Sequence, residues 1–492
     1  MQVLRKILFY IFAAAYIIIC PLLILYAFGY IYEPGTEKGY AKTGLIYVST
    51  APAGADVYLN ESLYTAKTPT QIRELIPGQY NIALELDGYR PWRQAVPVDE
   101  EKATVLDKVI LIPRERTSDI AVKGAFECLY PVPGTGYLIL LARGRELEGA
   151  LVFDVSAGKP RPLSAEGSPF GNGKVRDVLL SEGSSYILLR VTSDGKERFL
   201  WKDISQEKGQ FRDITGLVPE GFSSHDWSAG RDKDIFFLTG GSLVRVDADA
   251  GAVYPGLIKG IKGFGLHDGS VYAVDDSNKV AEYGYDGQQK RLLLDDRQAG
   301  DVIFRGKEEY KINVISDEII IFLGNEGSLS ANKLPYRFAD SDVVDAKTDS
   351  SGEKVLVVSR KGIGILDFAA ESTGAAGFET GPSMTWVYSG GHDIEQASWV
   401  YKDSHVIFRD GETVYLVELD PYGNFPASEV LGIKNDSAFS YSETTGKIYF
   451  IGGQDNTVRE AEIVPVSSIS AIPFPELEKE SKEGRVKELT AD

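Results

Sequence analysis

At 492 residues the chain exceeds the usual size of one domain, so two or more folded units are expected. Its formal net charge of −19 argues against nucleic acid as a partner, because phosphate binding draws on surplus Lys and Arg. Two cysteines and four histidines, all scattered, exclude a disulfide-stapled outer portion and a zinc site of close Cys/His spacing.

Residues 1–6 form a short tail ending in Arg5 and Lys6, followed by an apolar run from Ile7 to Tyr32. At about 1.5 Å rise per residue this run is long enough, with some tilt, to cross a hydrocarbon core of about 30 Å. A transmembrane helix is therefore expected over residues 7–32. Arg5 and Lys6 before it and Glu33 and Glu37 after it predict a cytoplasmic N-terminus, a single-pass protein of the cell membrane, and an extracytoplasmic bulk. A cleaved signal peptide is the rival reading, but its apolar core is usually about 7 to 15 residues and ends at a small-x-small site. A lipid-modified Cys20 is a second rival, set against by Ile17-Ile18-Ile19 before it and Pro21 after it. Pro21 predicts a kink, since its ring removes one backbone hydrogen bond.

Residues 33–43, with a proline and two glycines among mixed charges, read as a linker that reaches at most about 36 to 40 Å. Residues 44–112 contain short stretches of alternating apolar and polar residues, separated by Pro52-Ala53-Gly54, Lys67-Thr68-Pro69 and Pro77-Gly78. That pattern predicts a small β-sandwich. The order Pro52, Gly54, Ala55, Val57, Tyr58, then Thr68, Pro69, then Leu75, Pro77, Gly78, Tyr80, then Gly88 and Tyr89 resembles the PEGA domain. Ala53 stands where the family carries Glu, and Glu61-Ser62 where an Asp-Gly turn is common. The resemblance implies a surface-exposed, non-catalytic module of the cell envelope.

From about 117 to 466, polar turns followed by strongly apolar strands recur at intervals of about 35 to 45 residues, as in DVLLSEGSSYILLRV and DAKTDSSGEKVLVVS. Several short strands per repeat predict a β-propeller. Ser350-Ser351-Gly352 leading to Val358 resembles the inner hairpin of TolB-like propeller repeats. Repeats begin near 124, 174, 222, 262, 302, 343, 394 and 437, which gives eight blades, with seven the alternative. The last repeat has only three good strands, and Ser118 to Gly124 is expected to supply the fourth and remove both free edges. Residues 467–492 form a charged tail, which from Pro475 on is poor in apolar residues and expected to be a solvated helix or disordered. The expected class is all-β, with one N-terminal helix.

His225-Asp226, His267-Asp268 and His392-Asp393 pair an imidazole with a carboxylate, a combination that serves metals and proton relays. Each reads first as a turn or strand-end pair, with Asp bonding the backbone. No G-x-S-x-G elbow is found, and carboxylates are too numerous to single out a glycosidase pair. Trp227 and Trp399 share a place in their repeats, Trp201 and Trp386 lie on other strands, and all read as packing before sugar stacking. In the 44–112 unit, Trp92 and Tyr89 read the same way. Phe368 to Asp393 is the longest connection poor in apolar residues. No catalytic, cofactor-binding or metal residue is assigned and no cofactor is expected. The expected function is binding or scaffolding of an envelope protein or cell-wall polymer at the membrane. The alternative is an extracytoplasmic hydrolase with its site in the central channel.

Overall fold

The computed structural model describes residues 2–27, 30–32, 40–115, 117–165, 168–181, 183–228, 233–294, 302–306, 308–316, 318–369, 382–419, 422–423, 425–435 and 437–463. Most of the expected linker, residues 33–39, and the whole charged tail, 467–492, lie outside them. The chain divides into two compact units, Met1–Arg114 with Val464–Asp492, and Glu115–Ile463.

Helix α1 runs Gln2–Ala27 with Pro21 inside it. Among the described residues no helix is long and apolar enough to cross a membrane, and several α1 side chains are not among those described. Of the helix expected over 7–32, the described part runs to Ala27, and residues 28–29 lie outside the described residues. Tyr30–Tyr32 is a strand paired antiparallel with Tyr40–Lys42, so the end of the expected span and the end of the linker are both extended. Aromatic and β-branched residues such as Tyr30-Ile31-Tyr32 favour a strand once a neighbour completes the ladder.

Residues 44–112 form two sheets. In one, Gly44–Ala51 pairs antiparallel with Thr70–Leu75 and parallel with Ala103–Ile110. The other has the order Ser62–Leu63, Asp56–Leu59, Gly78–Glu85, Trp92–Val98. Their inward residues Ile46, Val48, Val57, Ile82, Leu84 and Val96 are fully or almost fully buried. The Thr68 hydroxyl accepts the N–H groups of Gly54 at 3.1 Å and Ala55 at 2.9 Å and meets Thr50 Oγ1 at 2.5 Å. The Pro-x-Gly-Ala turn and the Thr-Pro turn are thus two halves of one hydrogen-bonded corner. Gly54, at φ 93, occupies a backbone conformation that side chains resist.

The second unit is a succession of four-stranded antiparallel sheets in a β-propeller-like arrangement. Their first strands are Phe126–Pro131, Lys174–Leu180, Ser224–Trp227, Ile261–His267, Tyr310–Ser316, Val343–Thr348, Ile394–Val400 and Ser440–Ser442. Apolar runs on the second strands, such as 187–189, 235–238 and 355–358, are buried throughout because sheets cover both faces. Each core cluster bridges two sheets: Ile139, Leu141 and Val152 meet Val178, Ile187 and Leu189. Tyr449, Ile451 and Val458 of the last sheet meet Phe126, Leu138 and Leu140 of the first. Asp119–Val122 pairs with Val458–Glu462 as the outer strand of the last sheet, and Arg459 Nη1 donates to Ser118 O at 3.3 Å and Oγ at 3.1 Å. The fourth and fifth sheets join by a parallel pairing of Gly263 with Tyr310 and Phe264 with Lys311. Glycine permits this approach: a Cβ at Gly263 or Gly265 would collide with the carbonyl oxygens of Tyr310 and Ile312.

Candidate functional site

The first strands of successive sheets are neighbours, and from the fifth sheet on they carry polar side chains from one sheet to the next. Asn313 Nδ2 donates to Ala346 O at 3.2 Å, and Lys347 Nζ to Ala397 O at 2.8 Å. Gln396 donates to Phe439 O at 2.7 Å and accepts the Phe439 N–H at 3.0 Å. From the fifth sheet to the eighth these side chains are engaged by the scaffold.

Bulges set which side chains project. The register shifts between Phe126 and Cys128, Val175 and Asp177, Ile261 and Gly263, Val343 and Asp345, and Ile394 and Gln396. Each inserts one residue near the strand start, and a bulge of this kind re-aims the side chain after it.

On the first, second, third and fifth sheets polar groups of the first strands act on one another. Burial pushes the Tyr130 phenol up to about 12, with Cys128 and Asp177 adding to the effect and Arg145 opposing it. Burial pushes the His225 imidazole down to about 4, against the pull of Asp177 and with the help of Lys311. His225 is therefore neutral through the physiological range. Asp177 accepts the Val178 N–H at 2.9 Å, and Arg145 pairs with Glu127 at 2.9 Å. Asp177 thus lies within electrostatic reach of both Tyr130 and His225, and Lys311 within reach of His225, a mix of donors and acceptors.

The three His-Asp pairs do not converge. Asp226 lies within the strand Ser224–Trp227 and accepts the Trp227 N–H at 2.8 Å, rather than marking the turn before it. His267 Nε2 lies 3.6 Å from Asp268, and Asp268 and Gly269, at φ 43 and 73, make the hairpin turn to Ser270–Asp275. His392 is exposed, 3.7 Å from the Asp410 carboxylate, while Asp393 pairs with Arg360 at 3.0 Å. The fourth histidine, His405, is buried and bonds Ser404 Oγ through Nδ1 at 2.9 Å. Among the described residues no group of three His, Cys, Asp or Glu is placed to hold a metal ion.

Trp227 and Trp201 are buried together between the second and third sheets. Trp399 Nε1 donates to Lys347 O at 3.0 Å, and Trp92 is buried. Trp386 alone of the five is 46% exposed, lying against Gly362 and Gly364. Of the Phe368 to Asp393 connection, residues 370–381 lie outside the described residues, and Ser383–Ser389 is a strand. Sequence reasoning missed Tyr130, Asp177 and Lys311. Their only signal was a polar or charged residue within the first strand of its repeat, at the fifth, fourth and second position respectively.

The corner made by Thr68, Gly54 and Ala55 accounts for the motif at the start of residues 44–112. Residues 43–111 match the PEGA domain. No curated protein matches the chain. Among solved structures, the chain is similar to the computationally designed Ika8 protein, at 13% identity over 69% of this chain and 96% of that one, TM-score 0.42. It is also similar to the β-propeller domain of Myceliophteria thermophila Cps50 (Swd1), at 10% identity over 71% and 99%, TM-score 0.34. Kuenenia stuttgartiensis hydrazine synthase is similar at 10% identity over 70% and 97%, TM-score 0.38. At such identities and TM-scores these likenesses carry nothing about ligand or activity.

Proposed function

We propose that this protein is a membrane-tethered binding or scaffold protein of the cell envelope, acting outside the cell on a protein or wall-polymer partner. The observation that carries this reading is the PEGA match at residues 43–111, a β-module in which the Thr68 hydroxyl is engaged by its own corner. In this reading the second unit is a TolB-like propeller of eight blades, closed by Asp119–Val122, with the first-strand face of Tyr130, Asp177, His225 and Lys311 as its recognition surface.

The anchor is α1 in this reading. Its described side chains Phe9, Tyr10, Ile11, Phe12, Tyr16, Ile17, Ile18 and Ile19 are consecutive or nearly so, and all are exposed, so they cover every side of the helix. A helix apolar all round is stable when buried in protein or lipid. Carbonate extraction of cell membranes tests the anchor: the intact chain is expected in the pellet, and recovery of a soluble form lacking residues 1–26 overturns it.

A second reading is an extracytoplasmic hydrolase. It is favoured by the neutral His225 within electrostatic reach of Asp177. Incubating the purified chain with peptide, ester and glycan substrates separates the two, since the binding reading predicts no turnover.

A further inference from the structure

Trp386 lies on Ser383–Ser389, the outermost strand of the sixth sheet, beside the strand Gly362–Asp367. It pairs with Gly364, and a register shift between Ile363 and Gly364 turns Val387 into the core while Trp386 stays outside it. A Cβ added at Gly362 would stand 3.3 Å from Trp386 Cε3 and 3.5 Å from Cζ3, and one at Gly364 would stand 3.3 Å from Cε3. The benzene half of the indole therefore rests on two bare backbones. Neither glycine has a left-handed backbone, so what each contributes is its missing side chain. Glycine weakens a strand interior and marks a place where another group comes close.

One face of the ring is seated and the other is open. Trp386 is 46% exposed, which for a side chain of this size is roughly 100 Å². Among the described residues of the sixth sheet no other large apolar side chain is exposed. A stable protein interface takes about 800 Å² from each partner around an apolar centre, so this patch is too small to carry one. It matches a single sugar ring. The frame around it is polar and close to neutral. Thr385 and Ser389 are exposed on the same strand. Lys361, next to Gly362, pairs with Asp342 at 3.4 Å, and Arg360 with Asp393 at 3.0 Å. These cations are answered, and a chain of net charge −19 repels a polyanion.

We propose that Trp386 is a stacking platform for one ring of a neutral, pyranose-based glycan. The C–H groups on one side of such a ring make an apolar face that covers the open indole, and its hydroxyls reach donors and acceptors of the polar frame. An outermost strand suits a polymer, which can lie across it without threading a channel. The site rests on the wall-polymer reading above and narrows it to a neutral glycan.

The test is acrylamide quenching of tryptophan emission from the full chain in detergent micelles. The chain is titrated with short β-linked oligosaccharides of glucose and of N-acetylglucosamine, and with dextran sulfate as the anionic comparison. A neutral oligosaccharide is expected to shield the quenchable emission, and no such change is expected in Trp386→Phe. Calorimetric titration is expected to show binding weakened by about tenfold or more in Trp386→Ala. Trp386 lies outside the core, so both variants are expected to fold. The site is overturned if neither neutral oligosaccharide shields the emission, if shielding persists in Trp386→Phe, or if only dextran sulfate or an envelope protein shields it. Recovery of a wall polymer from native membranes without shielding by either neutral oligosaccharide overturns the site and leaves the wall-polymer reading standing.

Discussion

The Glu443 carboxylate accepts the Tyr401 N–H at 2.6 Å and so holds a turn in which three successive side-chain-bearing residues are left-handed. Tyr401, Lys402 and Asp403 have φ of 55, 55 and 62. Such backbone costs roughly 1 to 2 kcal/mol per residue and curls N–H groups toward an anion. Glu443→Ala is expected to destabilise the protein by about 1 to 3 kcal/mol, and Glu443→Gln, which keeps an acceptor, by less. Lys402→Gly is expected to be neutral or stabilising. Burial pushes the Glu443 carboxyl up from 4.5. The folded state then keeps its proton to higher pH than the unfolded one, so this group's contribution falls as pH rises above 4.5. Chemical denaturation of the three variants across pH checks all of this.

Lys202 makes the opposite pH signature. Its folded value of about 8 lies below the 10.5 of the free side chain. The unfolded state binds more protons between these values, so stability rises as pH climbs from about 8 to 10.5. This rise is expected in the unaltered chain and absent in Lys202→Met. Denaturation midpoints measured over that range test it, and an identical profile in both proteins contradicts it.

His225 titrates at about 4 because it is buried, against 6.5 for a free imidazole. Its contribution is fully present above 6.5 and is lost as pH falls through about 4. Proton NMR of the four imidazoles is expected to show one that stays neutral down to about pH 5 and that disappears in His225→Gln. If every imidazole titrates near 6.5, the packing described around His225 is wrong.

Asp119–Val122 completes the sheet that holds Val458–Glu462, and Val122 is buried among Phe126, Tyr449 and Val458. Deleting residues 113–124 bares a strand edge and removes that apolar anchor. A lower Tm for the whole second unit is expected, and Arg459→Ala, which releases Ser118, is expected to give a smaller loss in the same direction. An unchanged Tm in the deletion would show that closure contributes nothing.

Much of the fold was legible because it rests on local chemistry. The Thr68-Pro69 and Pro52-Ala53-Gly54 turns could be read separately, and the runs around 187–189 and 355–358 announce strands buried on both faces. The strand expected at Ser118 to Gly124 lies on the last sheet. The end of α1 was not legible, since Tyr30–Tyr32 is as apolar as the helix and is separated from it only by its pairing with Tyr40–Lys42. The candidate face was the least legible part. Tyr130, Asp177, His225 and Lys311 come from four strands far apart in sequence, and bulges at Glu127 and Arg176 decide which side chains project. Of the His-Asp pairs, His225-Asp226 lies along one strand, where adjacent side chains take opposite faces, and the other two lie at or beyond strand ends.

The central claim, that this chain acts by binding through its two β-units and carries out no chemistry, is tested most directly by crosslinking capture from native membranes. The full chain is compared with a deletion of residues 44–112 and with Asp226, His267, His392 and Asp393 all changed to Ala. The account predicts that the same envelope protein or wall polymer is recovered with the full chain and with the fourfold variant, and that recovery falls sharply in the deletion. Loss of a hydrolytic activity on peptide, ester or glycan in the fourfold variant, with capture unaffected by the deletion, would contradict it.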